Sequence, residues 1–277
     1  MNKPLIMGIV NVTPDSFSDG GKYFDPKAAI EHGLQLIKEG ADILDIGGES
    51  TRPDAKSVSV EEEIARVVPV IAELAKTGKA ISVDTRNAKT MTAATEAGAS
   101  FFNDVTALQD KGAIELAALK NVDICLMHMQ GTPQTMQSNP EYQNVVQEVF
   151  DFLQTRINVC VNAGIKKEKI YADIGVGFGK TLEHNLALLR NLDRFHDLGV
   201  RLLLGTSRKK FIERIMGGDI PADQRLGGSL STALWGMEKG VHIVRVHDVA
   251  QTKQALMVWE SLSSGTKVMK DSSLCSE

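Results

Sequence analysis

The sequence predicts a single (β/α)8 TIM barrel, and three observations carry that reading. Eight short apolar segments suited to buried strands alternate with segments of helical period over about 260 residues. No linker rich in Pro, Gly or Ser divides the chain. Each apolar segment ends in a polar or charged side chain, and in this fold the active site lies at those strand ends. The barrel is assigned to residues 1–262, with long active-site loops after strands 1 and 2, and the polar, aperiodic stretch 263–277 is expected to be a disordered tail.

The elements follow in order. Leu5 to Val10 is a continuous apolar run, as a strand covered on both faces requires; it stops at Asn11 and gives way to a polar loop that contains Phe17. Ile30, Leu34 and Ile37 then recur at helical spacing up to Gly40. Asp42 to Ile46 is the second strand, and Ser59 with Glu62 forms a capping box ahead of Ile64, Val67, Val68, Ile71 and Leu74. Six further strands are expected at Ala80 to Asp84, Ser100 to Asn103, Asp123 to His128, Tyr171 to Ile174, Val200 to Gly205 and His242 to Val246. Helical patterns lie between them at Met91 to Ala97, Ile114 to Leu119 and Leu182 to Leu192. In the longest, Val146, Val149, Leu153, Ile157 and Cys160 share a face before Gly164 ends it.

Composition narrows the partners. The chain has 277 residues, 43% of them hydrophobic, and a formal net charge of -4 with its Lys and Arg scattered, which argues against nucleic acid or an anionic membrane. Cys125, Cys160 and Cys275 show no CxxC spacing, so neither a disulfide framework nor a zinc site is indicated. Met1 to Pro4 lead directly into a strand, and no window approaches the about 20 apolar residues of a membrane span, so the cytoplasm is the expected location.

The strand ends carry the chemistry. In order they are Asn11, Asp45 with Glu49, Asp84, Asn103 with Asp104, His128, Asp173, the Ser207-Arg208-Lys209 turn, and Arg245 with His247. Taken singly, Asp84 and Asn103 could be helix caps, and Asp45 a satisfied interior carboxylate. Taken together, they ring one mouth with hydrogen-bonding groups. His32, His184, His196 and His242 lack such a context and read as surface or packing histidines.

Gly175 to Thr181 mimics a phosphate-binding P-loop, but it has three residues where that loop needs four between its first Gly and the Gly-Lys-Thr. Its glycines instead suit close approach of backbone to a flat ligand beside Phe178. Lys209 fits a Schiff-base lysine or, with Arg208 and Lys210, an anion pocket. With no HExxH, paired His or EF-hand loop, a dedicated metal cage is not indicated. Asn11 offers one hard oxygen, which suits a Mg²⁺ ion that takes its other ligands from water and phosphates. Arg245-Val246-His247 precede a helix start near Asp248, a corner where barrels bind phosphate groups and a diphosphate would fit.

These residues resemble a known family. Asn11 to Gly21, Asp45 to Pro53, Ser82 to Thr85, Asn103-Asp104, Cys125 to Gly131, Ser207 to Lys209 and Ile243 to Asp248 look like the motifs of the bacterial dihydropteroate synthases, in the same order. The resemblance spans residues 5 to 262. It implies condensation of a 6-hydroxymethyl-dihydropterin diphosphate with 4-aminobenzoate, with Mg²⁺ as cofactor, and a homodimer packed through barrel helices. It also implies site roles. Asn11 would hold the metal on a diphosphate whose oxygens meet Arg52, Arg245, Val246 and His247. Asp84, Asn103, Met127, Asp173, Gly177, Lys209 and Arg245 would line the pterin pocket. Phe17, Thr51, Pro53, Phe178, Ser207 and Lys209 would surround 4-aminobenzoate. The catalytic set would be Asn11, Asp84, Lys209, Arg245 and His247.

The chain departs from the family at two positions of one motif. Where that family usually reads Asp-Pro-Gly-Phe-Gly-Phe-Gly-Lys, this sequence has Ile174 for the proline and Val176 for the first phenylalanine. A freer loop backbone and the loss of an aromatic wall are the expected consequences. No insertion interrupts Ser16 to Gly20, which implies ordinary sulfonamide sensitivity. A pterin-dependent methyltransferase would share the barrel and acidic pocket, but it would have no use for the diphosphate corner or the Asn11 ligand.

Overall fold

The computed structural model describes residues 3–13, 26–50, 58–133 and 135–264. Eight parallel strands close into a barrel in sequence order: β1 Leu5–Asn11, β2 Ile43–Gly47, β3 Ala80–Asp84, β4 Phe101–Asp104, β5 Asp123–Met127, β6 Ile170–Asp173, β7 Arg201–Gly205 and β8 Ile243–Val246. The predicted (β/α)8 class is what the chain adopts, each strand lying within about two residues of its expected bounds.

Nine described helices surround the strands: α1 Pro26–Glu39, α2 Val60–Ala75, α3 Ala88–Glu96, α4 Ala113–Lys120, α5 Val145–Asn162, α6 Leu182–Arg190, α7 Lys210–Met216, α8 Leu226–Glu238 and α9 Val249–Ser264. Helix α1 starts on proline, whose missing N–H costs nothing at the first helical position. Ser59 caps α2 by accepting from the Glu62 N–H at 3.1 Å. The Glu62 carboxylate is taken by Arg66 at 2.5 Å, so the cap is one-sided rather than the expected box. Helix α6 carries a reciprocal box, in which Thr181 and His184 exchange backbone-to-side-chain bonds of 3.2 and 3.3 Å. His184 is thus a capping residue rather than idle surface. The β7–β8 connection holds both α7 and α8, and α9 runs to Ser264, past the expected domain end at 262. None of the described helices is long and apolar enough to cross a membrane.

Because side chains alternate across a strand, each strand serves two cores. One parity packs outward under the helices, with Ile6, Val10, Leu44, Ile46, Val83, Phe102, Leu126, Leu204 and Val244 against faces such as Val67, Ile71 and Leu74 of α2. The other parity fills the barrel. Met7, Ile43, Phe101, Cys125, Tyr171, Leu203 and Ile243 form a separate apolar cluster there, with Ser82 as the β3 residue of the same layer. Two residues further along each strand, the inward positions are Ile9, Asp45, Asp84, Asn103, Met127, Asp173, Gly205 and Arg245. The interior thus turns from apolar to charged within one step of the pleat, and the charged layer faces the C-terminal mouth.

Candidate active site

The charged layer is a connected network. Arg245 donates through Nε to Asp45 Oδ2 at 2.5 Å and through Nη2 to Asp84 Oδ2 at 2.7 Å. Asn103 donates its amide N–H to the same Asp45 oxygen at 3.0 Å. Burial works against the Arg245 charge, but Asp45 and Asp84 outweigh it and hold the guanidinium above its ordinary range. Asp84 is pushed up to about 7, chiefly by burial and further by Asp45, against the pull of Arg245. Among the described residues, the fully buried Asp45 finds no partner for its Oδ1, and the register-paired Ser82 finds none for its Oγ.

Asp173 sits across the mouth at the end of β6. Its Oδ1 accepts from Gly175 N at 2.8 Å, and burial raises its carboxyl despite Lys209 and that hydrogen bond. Its other oxygen lies beside Gly205, where the missing side chain leaves room. Lys209 donates to the Val176 carbonyl at 2.5 Å and holds its ammonium 4.8 Å from the Phe178 ring centroid. Burial brings Lys209 down to about 8, with Asp173 resisting.

The third cluster lies where β7 and β8 end. Ser207 Oγ meets His247 twice, at 3.0 Å from Nδ1 and 3.2 Å from the backbone N–H. Arg208, at φ 58°, is fixed by a two-bond pair with Asp248 immediately before α9. Asn11 closes β1 in register with Gly47; its amide makes no side-chain hydrogen bond among the described residues. Among those residues no group of three or more His, Cys, Asp and Glu could cage a metal ion.

The sequence-derived set divides on this geometry. Asp84, Asn103, Met127, Asp173 and Arg245 share the inward layer, with Gly177, Phe178, Ser207, Lys209 and His247 on the loops above and Asn11 at the rim. Phe17, Thr51, Arg52 and Pro53 lie outside the described residues. Two expectations are corrected by parity. His128 and Asp104 each stand one residue past an inward position, so neither joins the mouth. His128 is buried against Lys180 and Phe152, and Asp104 folds the β4–α4 loop by accepting from Thr106 and Leu108. Val246, one past Arg245, buries its side chain in the outer core, which leaves its backbone as the part expected to meet a diphosphate. Val176 is likewise fully buried in that core, so its substitution removes no wall from the site; what it supplies is the carbonyl that holds Lys209.

Two participants were missed. Asp45 reads as one more strand-end acid, and only barrel closure shows it joining Arg245 to Asn103. Lys180 reads as the end of a glycine motif, yet it is wholly buried.

Residues 7–247 match the family of pterin binding enzymes. Dihydropteroate synthase of Neisseria meningitidis serogroup B is 53% identical over 268 residues, covering 95% of this chain and 94% of its own. The chain belongs to the dihydropteroate synthase family. It is accordingly an enzyme, a transferase. The solved dihydropteroate synthase of Xanthomonas albilineans with 4-aminobenzoic acid agrees in fold, with a TM-score of 0.89 at 48% identity and coverage of 95% of this chain and 94% of that one. The Yersinia pestis enzyme in a sulfonamide drug complex has a TM-score of 0.88 at 44% identity, with 95% of each chain covered.

Proposed function

We propose that this chain joins (7,8-dihydropterin-6-yl)methyl diphosphate to 4-aminobenzoate, releasing diphosphate and 7,8-dihydropteroate. The observation that carries the reading is the layer in which Asp84, Asn103, Asp173 and Arg245 converge inside a closed barrel. A pterin has an amidine-like donor edge, and Asp173 has one oxygen not held by Gly175 to receive it. Asn103 commits one amide N–H to Asp45, which leaves its second N–H and its carbonyl oxygen to read neighbouring ring atoms of the ligand.

The hard step is rupture of the methylene C–O bond, with the electron pair leaving on diphosphate. A dihydropterin can carry the resulting cation, and the neutral aromatic amine then forms the C–N bond and sheds a proton. The site's contribution is electrostatic. Arg245, locked between two carboxylates, and His247, steadied by Ser207, receive the departing charge from one side, and Lys209 adds a third donor. Asn11 is the residue to hold Mg²⁺, which when bound neutralises charge on the leaving group. An amide oxygen that no described residue engages suits an ion that draws most of its shell from water and phosphate. The 4-aminobenzoate lies against Phe178, Ser207 and Lys209, a placement supported by the cation over the Phe178 ring.

Sulfonamides, as analogues of the amine, are proposed to compete at this subsite, which the Yersinia pestis complex supports. Exposed Ile215, Met216 and Trp235 on α7 and α8 support a homodimer packed through helices, and buried free Cys125 and Cys160 support a reducing, cytoplasmic setting. The deciding test mixes purified protein with the dihydropterin diphosphate, with and without 4-aminobenzoate and Mg²⁺, and measures diphosphate and dihydropteroate. Metal-dependent release that yields dihydropteroate only with the amine is expected; pterin binding without release would overturn the reading.

A further inference from the structure

Lys180, between β6 and α6, is 1% exposed and among the largest wholly buried side chains. An ammonium has three N–H donors, and this one finds three acceptors: the Phe178 carbonyl at 2.9 Å, His128 Nδ1 at 3.0 Å and the His128 carbonyl at 3.3 Å. Burial holds Lys180 down to about 7 and His128 down to about 3, so the imidazole is a neutral acceptor. Desolvating an amine this deeply is costly, and a methionine would fill the space without that cost.

Its surroundings show what the lysine does. The loop after β6 and the loop after β5 run in backbone contact. A β-carbon on Gly175, at φ 67°, would stand 1.9 Å from the His128 carbonyl oxygen, and one on Gly179 would stand 2.6 Å from that of Gln130. Two backbones so close present carbonyls to a shared interior that water does not reach, and Lys180 supplies the donors. Tyr142 Oη and Gln137 Nε2 fasten the outer side, donating to the Gly179 and Gly177 carbonyls at 2.8 and 2.7 Å. The same loop carries Phe178 and, through the Val176 carbonyl, Lys209.

We propose that Lys180 is a positioning residue for the amine subsite: by bolting the Phe178 backbone to the β5 loop it sets where the Phe178 ring and the Lys209 ammonium meet 4-aminobenzoate. It touches neither substrate. The pterin contacts are built mainly on strands β3, β4, β6 and β8 and meet the bolted loop through the Gly175 N–H on Asp173 and the Val176 carbonyl on Lys209, so pterin affinity is expected to move far less than amine affinity. The proposal rests on the placement of the amine against Phe178 given above, and the test separates the two.

Steady-state KM for 4-aminobenzoate, kcat and pterin affinity are measured for Lys180→Met, Lys180→Gln, Tyr142→Phe and Phe178→Ala, each checked for folding by thermal melting. Lys180→Met is expected to raise KM for the amine about tenfold while pterin affinity stays within about twofold. Lys180→Gln, which restores two N–H donors without the charge, recovers most of that loss. Tyr142→Phe removes one hydroxyl from the outer side of the junction and raises KM by about two- to threefold, which keeps the test open should the Met variant not fold. Equal losses of pterin and amine affinity, or an unchanged KM in a folded Lys180→Met or Tyr142→Phe protein whose Phe178→Ala counterpart is impaired, would overturn the positioning role. An unchanged KM in Phe178→Ala would instead overturn the amine placement on which it rests.

Discussion

Met7, Ile43, Phe101, Tyr171, Leu203 and Ile243 fill one layer of the barrel interior, while Asp45, Asp84, Asn103, Asp173 and Arg245 occupy the next, two residues along the same strands. Both layers share strand geometry, the lower one wholly buried and the upper one open to the mouth at Asp84 and Arg245, yet they are held by different forces. The lower one closes by dispersion and loss of apolar surface to water, which tolerate any well-shaped side chain. The upper one coheres because each charge has an opposite neighbour, which makes its members interdependent. The proposed binding layer therefore depends on its own charge pairing, and the layer beneath supplies an apolar foundation.

That contrast can be broken from the top first. Asp173→Ala removes the paired acceptor and is expected to lower pterin affinity by about 100-fold or more, read by calorimetric titration. Arg245→Met strands Asp45 and Asp84 without a counter-charge and should cost about 3–5 kcal/mol in urea unfolding as well as activity. In the lower layer, Leu203→Ala is expected to cost a similar about 2–5 kcal/mol through its cavity while leaving KM for both substrates near wild type. Equal stability losses with opposite kinetic outcomes would establish the division of labour.

A pH titration sharpens it. Asp84 has its proton affinity raised from 3.8 to about 7 in the folded state, so its contribution to stability is fully present below pH 3.8 and is lost as pH rises through about 7. The urea midpoint of the wild type should fall between those pH values relative to that of Asp84→Asn; parallel curves would sink the assignment. Smallest of all, Ser82→Ala deletes a hydroxyl with no partner among the described residues, at the boundary of the two layers, and should shift stability by less than about 1 kcal/mol.

Much of this was legible in the sequence, for reasons that also mark where legibility stops. An apolar run that ends in Asn, Asp or Arg fixes both a strand and its polar end, so β1 to β8 and the residues at their tips could be read locally. Which tip residues meet could not. His128 and Asp104 look as eligible as Asp173 and Asn103, and only the parity of each strand turns them away from the axis. The Asp45–Arg245 pair joins positions 200 residues apart, a proximity created only by closing β8 against β1. Helices α7 and α8 were equally obscure. Gly227 and Gly228 open α8 and weaken its helical signal, and Gly228 is needed because Ile212 of α7 lies where its β-carbon would be.

The apolar floor under the mouth also has a kinetic meaning. A chamber with a sealed base has one door, so loading and unloading form a queue. Whatever lies deepest must arrive first, and under the function proposed above that is the pterin, at the level of Asp173 and Arg245, with the amine above it by Phe178. On that proposal the joined product would span both levels and leave as one body, through the passage its two halves entered in turn. A compound that reaches the doorway early therefore need not resemble the pterin to keep it out.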